Sequence, residues 1–238
     1  MVAQTHPIDA DALTGIAAEI GERLSSHLAG ADGSNWWAST QVESTPHLCE
    51  SIQLWALSGV ARNALHRGLP GIGASSRLID YANNTGLWHH QIKSEQGQAV
   101  GFATSSCNVV RRREKWSVRS VVMSDIAAAI DKAMKYVDLE LGADVDVDVA
   151  RLLVVPGAHI YALWVEQGDR DSILIAYAPK SIKGLSKTKF FTTLTFLQAL
   201  SKVIDKIHMP AVKLPRARKP RAEQMDKKSR TARPKPRK

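Results

Sequence analysis

The strongest constraint on this fold lies in residues 151–178, where RLLVVPGAHIYALWV is followed by the turn EQGDRD and a second apolar run, SILIAYA. Strands with one wet face alternate apolar and polar residues. Here apolar residues occupy both parities, so these segments must be buried on both faces. Pro156-Gly157 interrupts the first run and predicts a bend or bulge, because proline cannot donate to a ladder.

Helical periodicity frames this sheet. Leu13, Ile16, Ile20, Leu24 and Leu28 recur at helical spacing and predict an amphipathic helix over 8–29. Ile126, Ile130, Met134, Val137 and Leu141 predict another from Ser124, stopped by Gly142. A last helix is expected over 188–208, with Pro210 ending it. Thr45-Pro46 resembles a helix start, a capping hydroxyl followed by proline at the first helical position, and predicts a largely buried helix running to about Gly68. A short helix is expected near 75–82, and a polar loop over NNTGLWHHQIKSEQGQ.

Beyond residue 99, Val110, Trp116, Val118 and Val122 share one parity, and Arg111, Arg113, Lys115 and Arg119 the other. The pattern predicts strand pairing with one wet face, or a hairpin turning near RREK. The expected fold class is α+β: N-terminal helices packed on a small, mainly antiparallel sheet, with a C-terminal helix and a disordered basic tail. Residues 1–210 are expected as one globular domain, with a possible subdomain division near 96, and 211–238 as the tail.

Charge partition makes the tail the main functional signal. The chain carries +9 overall. Twelve cations (Lys213, Arg216, Arg218, Lys219, Arg221, Lys227, Lys228, Arg230, Arg233, Lys235, Arg237 and Lys238) face only Glu223 and Asp226, so the tail holds +10 and the rest −1. Four prolines and no aromatic residue leave it too little apolar surface to offset the entropy of ordering. Flexible cations neutralise phosphates and release counterions, so the expected partner is nucleic acid or another polyanion, bound without sequence preference. Arg111, Arg113, Lys115 and Arg119 are candidates to extend this surface onto the fold; the simpler reading is a solvated strand face that discourages edge pairing. A protein partner or homo-oligomer is a further expectation, with Trp36 and Trp37 as core or interface anchors.

The enzymatic alternative is a thiol hydrolase. Cys49 is expected in a helix first turn, where the helix dipole lowers a thiol pKa, and His159 at the start of a buried strand. Cysteine before histidine by about a hundred residues is the chain order of papain-like hydrolases, an analogy of order alone, with Asp171 as the candidate orienting group. Buried cysteine is commonly a small apolar core residue, so catalysis is the lesser expectation.

Other patterns fail on residue type. Asp144, Asp146 and Asp148 suggest calcium, but Val149 and Val155 stand where an EF-hand loop needs glycine and glutamate. SIKGLSKT has serines where a phosphate-binding loop needs glycines. No metal or cofactor is expected. No apolar run reaches the ~20 residues of a membrane span, and two cysteines without a secretory signal suggest a reducing, cytoplasmic setting.

Overall fold

The computed structural model describes residues 8–29, 48–69, 71–110, 113–141, 149–182 and 184–204. Helix α1 (Ala10–Ala29) comes first, then strand β1 (Leu48–Leu57), helix α2 (Gly59–His66) and a 3-10 turn at Leu78–Asp80. Strands β2 (Ala82–Lys93), β3 (Ala99–Val110) and β4 (Arg113–Met123) form a meander leading into α3 (Asp125–Leu141). Strands β5 (Val149–Val155), β6 (Ile160–Gln167), β7 (Arg170–Tyr177) and the two-residue β8 (Phe190–Phe191) form a second meander, closed by α4 (Thr193–Ile204).

All eight strands join in one sheet of order β4-β3-β2-β1-β5-β6-β7-β8. Each pairing is antiparallel except β1 with β5, where the α3 crossover makes the two central strands parallel. The α+β class and the mainly antiparallel pairing thus hold. The sheet is large, however, not small.

The two-sided apolar runs have the consequence their pattern requires. On one face Leu152, Leu163, Val165 and Leu174 pack with Ile130, Ala133 and Val137 of α3. On the other, Leu153, Ala162, Trp164, Ile173 and Ile175 pack with Ala61 and Leu65 of α2 and Phe196, Leu197 and Leu200 of α4. Helix α1 lies on that same face at the other end, with Ile16, Ile20 and Leu24 against Trp88, Ile92, Ala103 and Val118. Pro156-Gly157 belongs to a full reversal between β5 and β6, not to a bend within one strand.

Three expectations are corrected. The helix expected from Thr45-Pro46 is strand β1 followed by α2; positions 45–47 lie outside the described residues. Apolar positions on more than one helical stripe belong here to a strand paired on both sides, and Ser58 restarts the chain as a helix, its Oγ accepting from the Ala61 amide at 3.1 Å. The expected polar loop at 83–98 is mostly β2, buried along residues 88–92. The last helix begins at Thr193, later than 188, because Phe190 and Phe191 extend the sheet first.

Candidate functional site

The densest polar cluster is centred on Asp171, the second residue of β7, whose side chain is 1% exposed. Its Oδ2 accepts from the Leu78 backbone amide at 2.6 Å and the Thr193 hydroxyl at 2.9 Å. Its Oδ1 accepts from Trp164 Nε1 at 2.9 Å and Arg77 Nη2 at 3.3 Å. Burial pushes the carboxyl's pKa up, but these four donors outweigh it and hold the group below its ordinary 3.8. Arg77 also binds Glu166 at 2.6 Å, and Glu166 pairs with Arg151. The Arg151 guanidinium lies 4.3 Å from the Trp164 ring centre and 5.1 Å from that of Trp55, an aromatic cradle for a cation removed from water. The network ties the 3-10 turn, β5, β6, β7 and the start of α4 together. Every oxygen of Asp171 is committed, so the group orients no histidine.

Cys49 and His159 do not meet. Cys49 belongs to β1, not to a helix first turn. His159 is exposed in the β5–β6 turn at φ 51°, before the buried strand rather than in it. The parallel register sets Gln53 beside Arg151, which places Cys49 before the start of β5 and His159 past its far end. Eight residues of strand separate the two levels, roughly 25 Å at the rise of an extended chain. Cys107, on β3, is partly exposed, and burial together with the nearby Glu114 raises its thiol pKa.

His89 and His90, adjacent on β2, face opposite sides of the sheet. The His90 ring spans Ser51 Oγ at 2.8 Å and Ser105 Oγ at 2.7 Å, stitching β1, β2 and β3 through one neutral imidazole. His89 stacks on Phe102 with ring centres 4.9 Å apart, and its Nε2 has no hydrogen-bond partner. Burial lowers their pKa values, to about 3 for His89, with a smaller push from His90, and to about 4 for His90. Neither is presented to a ligand, and no group of three His, Cys, Asp or Glu side chains among the described residues could hold a metal.

Strands β3 and β4 pair as far as Val110 with Arg113; Arg111 and Arg112 lie outside the described residues. Arg113, Lys115 and Arg119 are all exposed. Arg119 Nε donates to Ser106 Oγ at 2.7 Å. The outer edge of β4 is closed at Val118 by α1: Glu19 accepts from the Val118 amide at 3.0 Å, and Arg23 donates to its carbonyl at 2.7 Å. That pair imitates a neighbouring strand at a position open to edge pairing. Beside it, Asp9, Asp11, Glu19, Glu114 and Trp116 line a cleft of about 420 Å³.

The twelve tail cations, Trp36 and Trp37, and Asp144, Asp146 and Asp148 lie outside the described residues. No described helix is long and apolar enough to cross a membrane. No protein-family model, curated protein or solved structure matches the chain.

Sequence reasoning missed Arg77, Arg151, Glu166 and Thr193 as a group. One signal was present: Arg151 opens the most apolar run of the chain, where a charge is tolerated only if paired.

Proposed function

We propose that this chain is a non-enzymatic binding protein whose C-terminal tail holds it on nucleic acid through phosphate contacts. The observation that carries the reading is the charge partition, +10 on residues 211–238 against −1 on residues 1–210. The register of β1 and β5, which sets Cys49 and His159 at different levels of the sheet, supports this reading over the thiol-hydrolase alternative. The buried Asp171 network supports a scaffold role for the body, since both oxygens of the carboxylate are taken up by donors from within the fold.

Counterion release gives the test its scale. Each phosphate neutralised on duplex DNA steepens the plot of log affinity against log salt by about 0.9, so six engaged tail cations give a slope near −5. Anisotropy of a labelled 20-base-pair duplex between 50 and 300 mM NaCl measures it for the full chain and for a chain with all twelve tail Lys/Arg changed to Gln. The native slope is expected to collapse in the substituted chain. Equal affinities would overturn the reading.

A further inference from the structure

The near-neutral body conceals a segregation of charge. From Ser172 to Ile204 the chain has five lysines (Lys180, Lys183, Lys187, Lys189 and Lys202) and no acidic residue. Helix α2, which packs beside α4, has none either. With −1 for all of residues 1–210, the other elements must carry the excess of acid.

Within this cationic sector lies a cavity of about 330 Å³ between the β7–β8 connection and α4. Thr195, Gln198, Ala199, Lys202 and Val203 recur at three- and four-residue steps, which puts them on one stripe of α4, while Phe196, Leu197 and Leu200 turn to the core. Gly184, Lys189 and Phe191 complete the lining, with Gly184 at φ +95° bending the loop in a conformation that disfavours a side chain. Lys189, Gln198 and Lys202 are exposed, and no described acidic side chain pairs with either lysine. The Thr195 hydroxyl is already occupied at the start of α4 with Thr192. The free donors are therefore two ammonium groups and one carboxamide around a concave floor, a set suited to a phosphate oxygen cluster. SIKGLSKT, which lacks the glycines of a nucleotide-binding loop, supplies part of this cationic sector instead.

Resting on the reading of the tail as a nucleic-acid ligand, we propose that this pocket is a second contact for the same partner, taking a backbone phosphodiester between Lys189 and Lys202. Helix α4 ends at Ile204, two residues beyond Lys202, so the pocket sits beside the last described residue, to which residues 205–238 are joined in sequence. A nucleic acid held by the tail is thereby kept at high effective concentration over the pocket, and two weak contacts add as one bivalent contact. A membrane surface fits less well. The large apolar side chains exposed among the described residues are Val60, Ile79, Val109, Val110, Val122 and Leu139; none lies in 178–204, and Val60 of α2 is a single residue, so the described surface offers no apolar cluster here to insert among acyl chains.

The test uses the full chain with Lys189→Gln/Lys202→Gln, compared with Lys132→Gln/Arg170→Gln, which removes the same charge from exposed positions on α3 and at the far end of β7. Loss of two phosphate contacts is expected to flatten the duplex-DNA salt slope by about 1.8 and weaken binding roughly 60-fold at 0.1 M salt, counted from a 1 M reference. Lys189→Arg/Lys202→Arg is expected to retain binding. An unchanged slope, or an equal loss in the control pair, overturns the pocket; so does a loss confined to anionic phosphatidylserine vesicles. None of these three outcomes touches the tail reading, which fails only if the chain with its tail cations changed to Gln binds DNA as the native chain does.

Discussion

Replacing Asp171 by asparagine isolates charge and hydrogen-bond polarity from shape. The carboxylate presents two acceptor oxygens, and both are used: Oδ2 by Leu78 N and Thr193 Oγ1, Oδ1 by Trp164 Nε1 and Arg77 Nη2. A carboxamide has one acceptor and one donor. Turned one way, its NH2 confronts the Leu78 amide; turned the other, it confronts the indole N–H and the guanidinium. Thr193 can rotate its hydroxyl to accept, but a backbone amide and an indole cannot. One orphaned buried donor costs about 1–3 kcal/mol, and the lost charge-assisted bonds bring the total to about 3–5 kcal/mol, the range for breaking a buried ion pair.

Urea unfolding followed by tryptophan fluorescence measures this loss, and amide exchange should accelerate at Leu78. Asp169→Asn is the comparator. Asp169 is fully exposed, 3.9 Å from Arg77, and its replacement should leave the urea midpoint essentially unchanged, because solvent screens a pair of this kind. The pH dependence has a fixed sign. Because the folded pKa of Asp171 lies below 3.8, its ionised form stabilises the fold above that value, and the contribution disappears as pH falls from there through the folded pKa. The gap between native and variant proteins must therefore narrow below pH 3.8. A loss under about 1 kcal/mol at pH 7, or one equal to that of Asp169→Asn, would refute the assignment of Asp171 as an anchor.

Two further outcomes are expected. His89 and His90 are buried neutral with pKa values of about 3 and about 4, so the unfolded chain binds more protons below pH 6.5; stability is full above 6.5 and falls toward pH 4, by roughly 2 kcal/mol per histidine at pH 5. Stability constant between pH 7 and 5, measured by urea titration, would contradict their neutral burial. Glu19→Ala/Arg23→Ala removes the cover from the β4 edge at Val118, and should cost about 1–2 kcal/mol and raise concentration-dependent light scattering relative to the native chain; scattering and midpoint both unchanged would show that the edge is protected by something else.

How much of this was legible follows from where each residue finds its partners. The helices α1 and α3 and the strands β6 and β7 advertise themselves because their apolar spacing is local and strong. Strand β1 does not. Its residues LCESIQLWAL satisfy a helical pattern nearly as well, and what decides is pairing with β2 on one side and β5 on the other, information held 25 to 98 residues away. Strand β2 misleads for the opposite reason. His89, His90 and Gln91 are polar yet buried: Ser51 and Ser105 satisfy the His90 imidazole, the Ala127 carbonyl accepts from Gln91 Nε2, and His89 stacks on Phe102. Asp171 reads in the sequence as one more acid beside a turn. Its role depends on Leu78, 93 positions earlier, and Thr193, 22 positions later.

The same network bears on the lysine pocket. Thr193 is the first residue of α4, and its bond to Asp171 fixes that end of the helix against β7. Gln198 and Lys202 project from the same helix, and Lys189 precedes the two-residue strand that hands the chain to it. The buried carboxylate thus sets the register of the helix that carries half the cationic rim, at the other end of a rigid connection only 12 residues long. Net charge describes this body poorly. A sum of −1 over residues 1–210 is compatible with a cationic sector beside the last described residue, and the buried carboxylate of Asp171 and the partly exposed one of Glu166 are each paired with arginine, which limits their opposition to an anion at the surface.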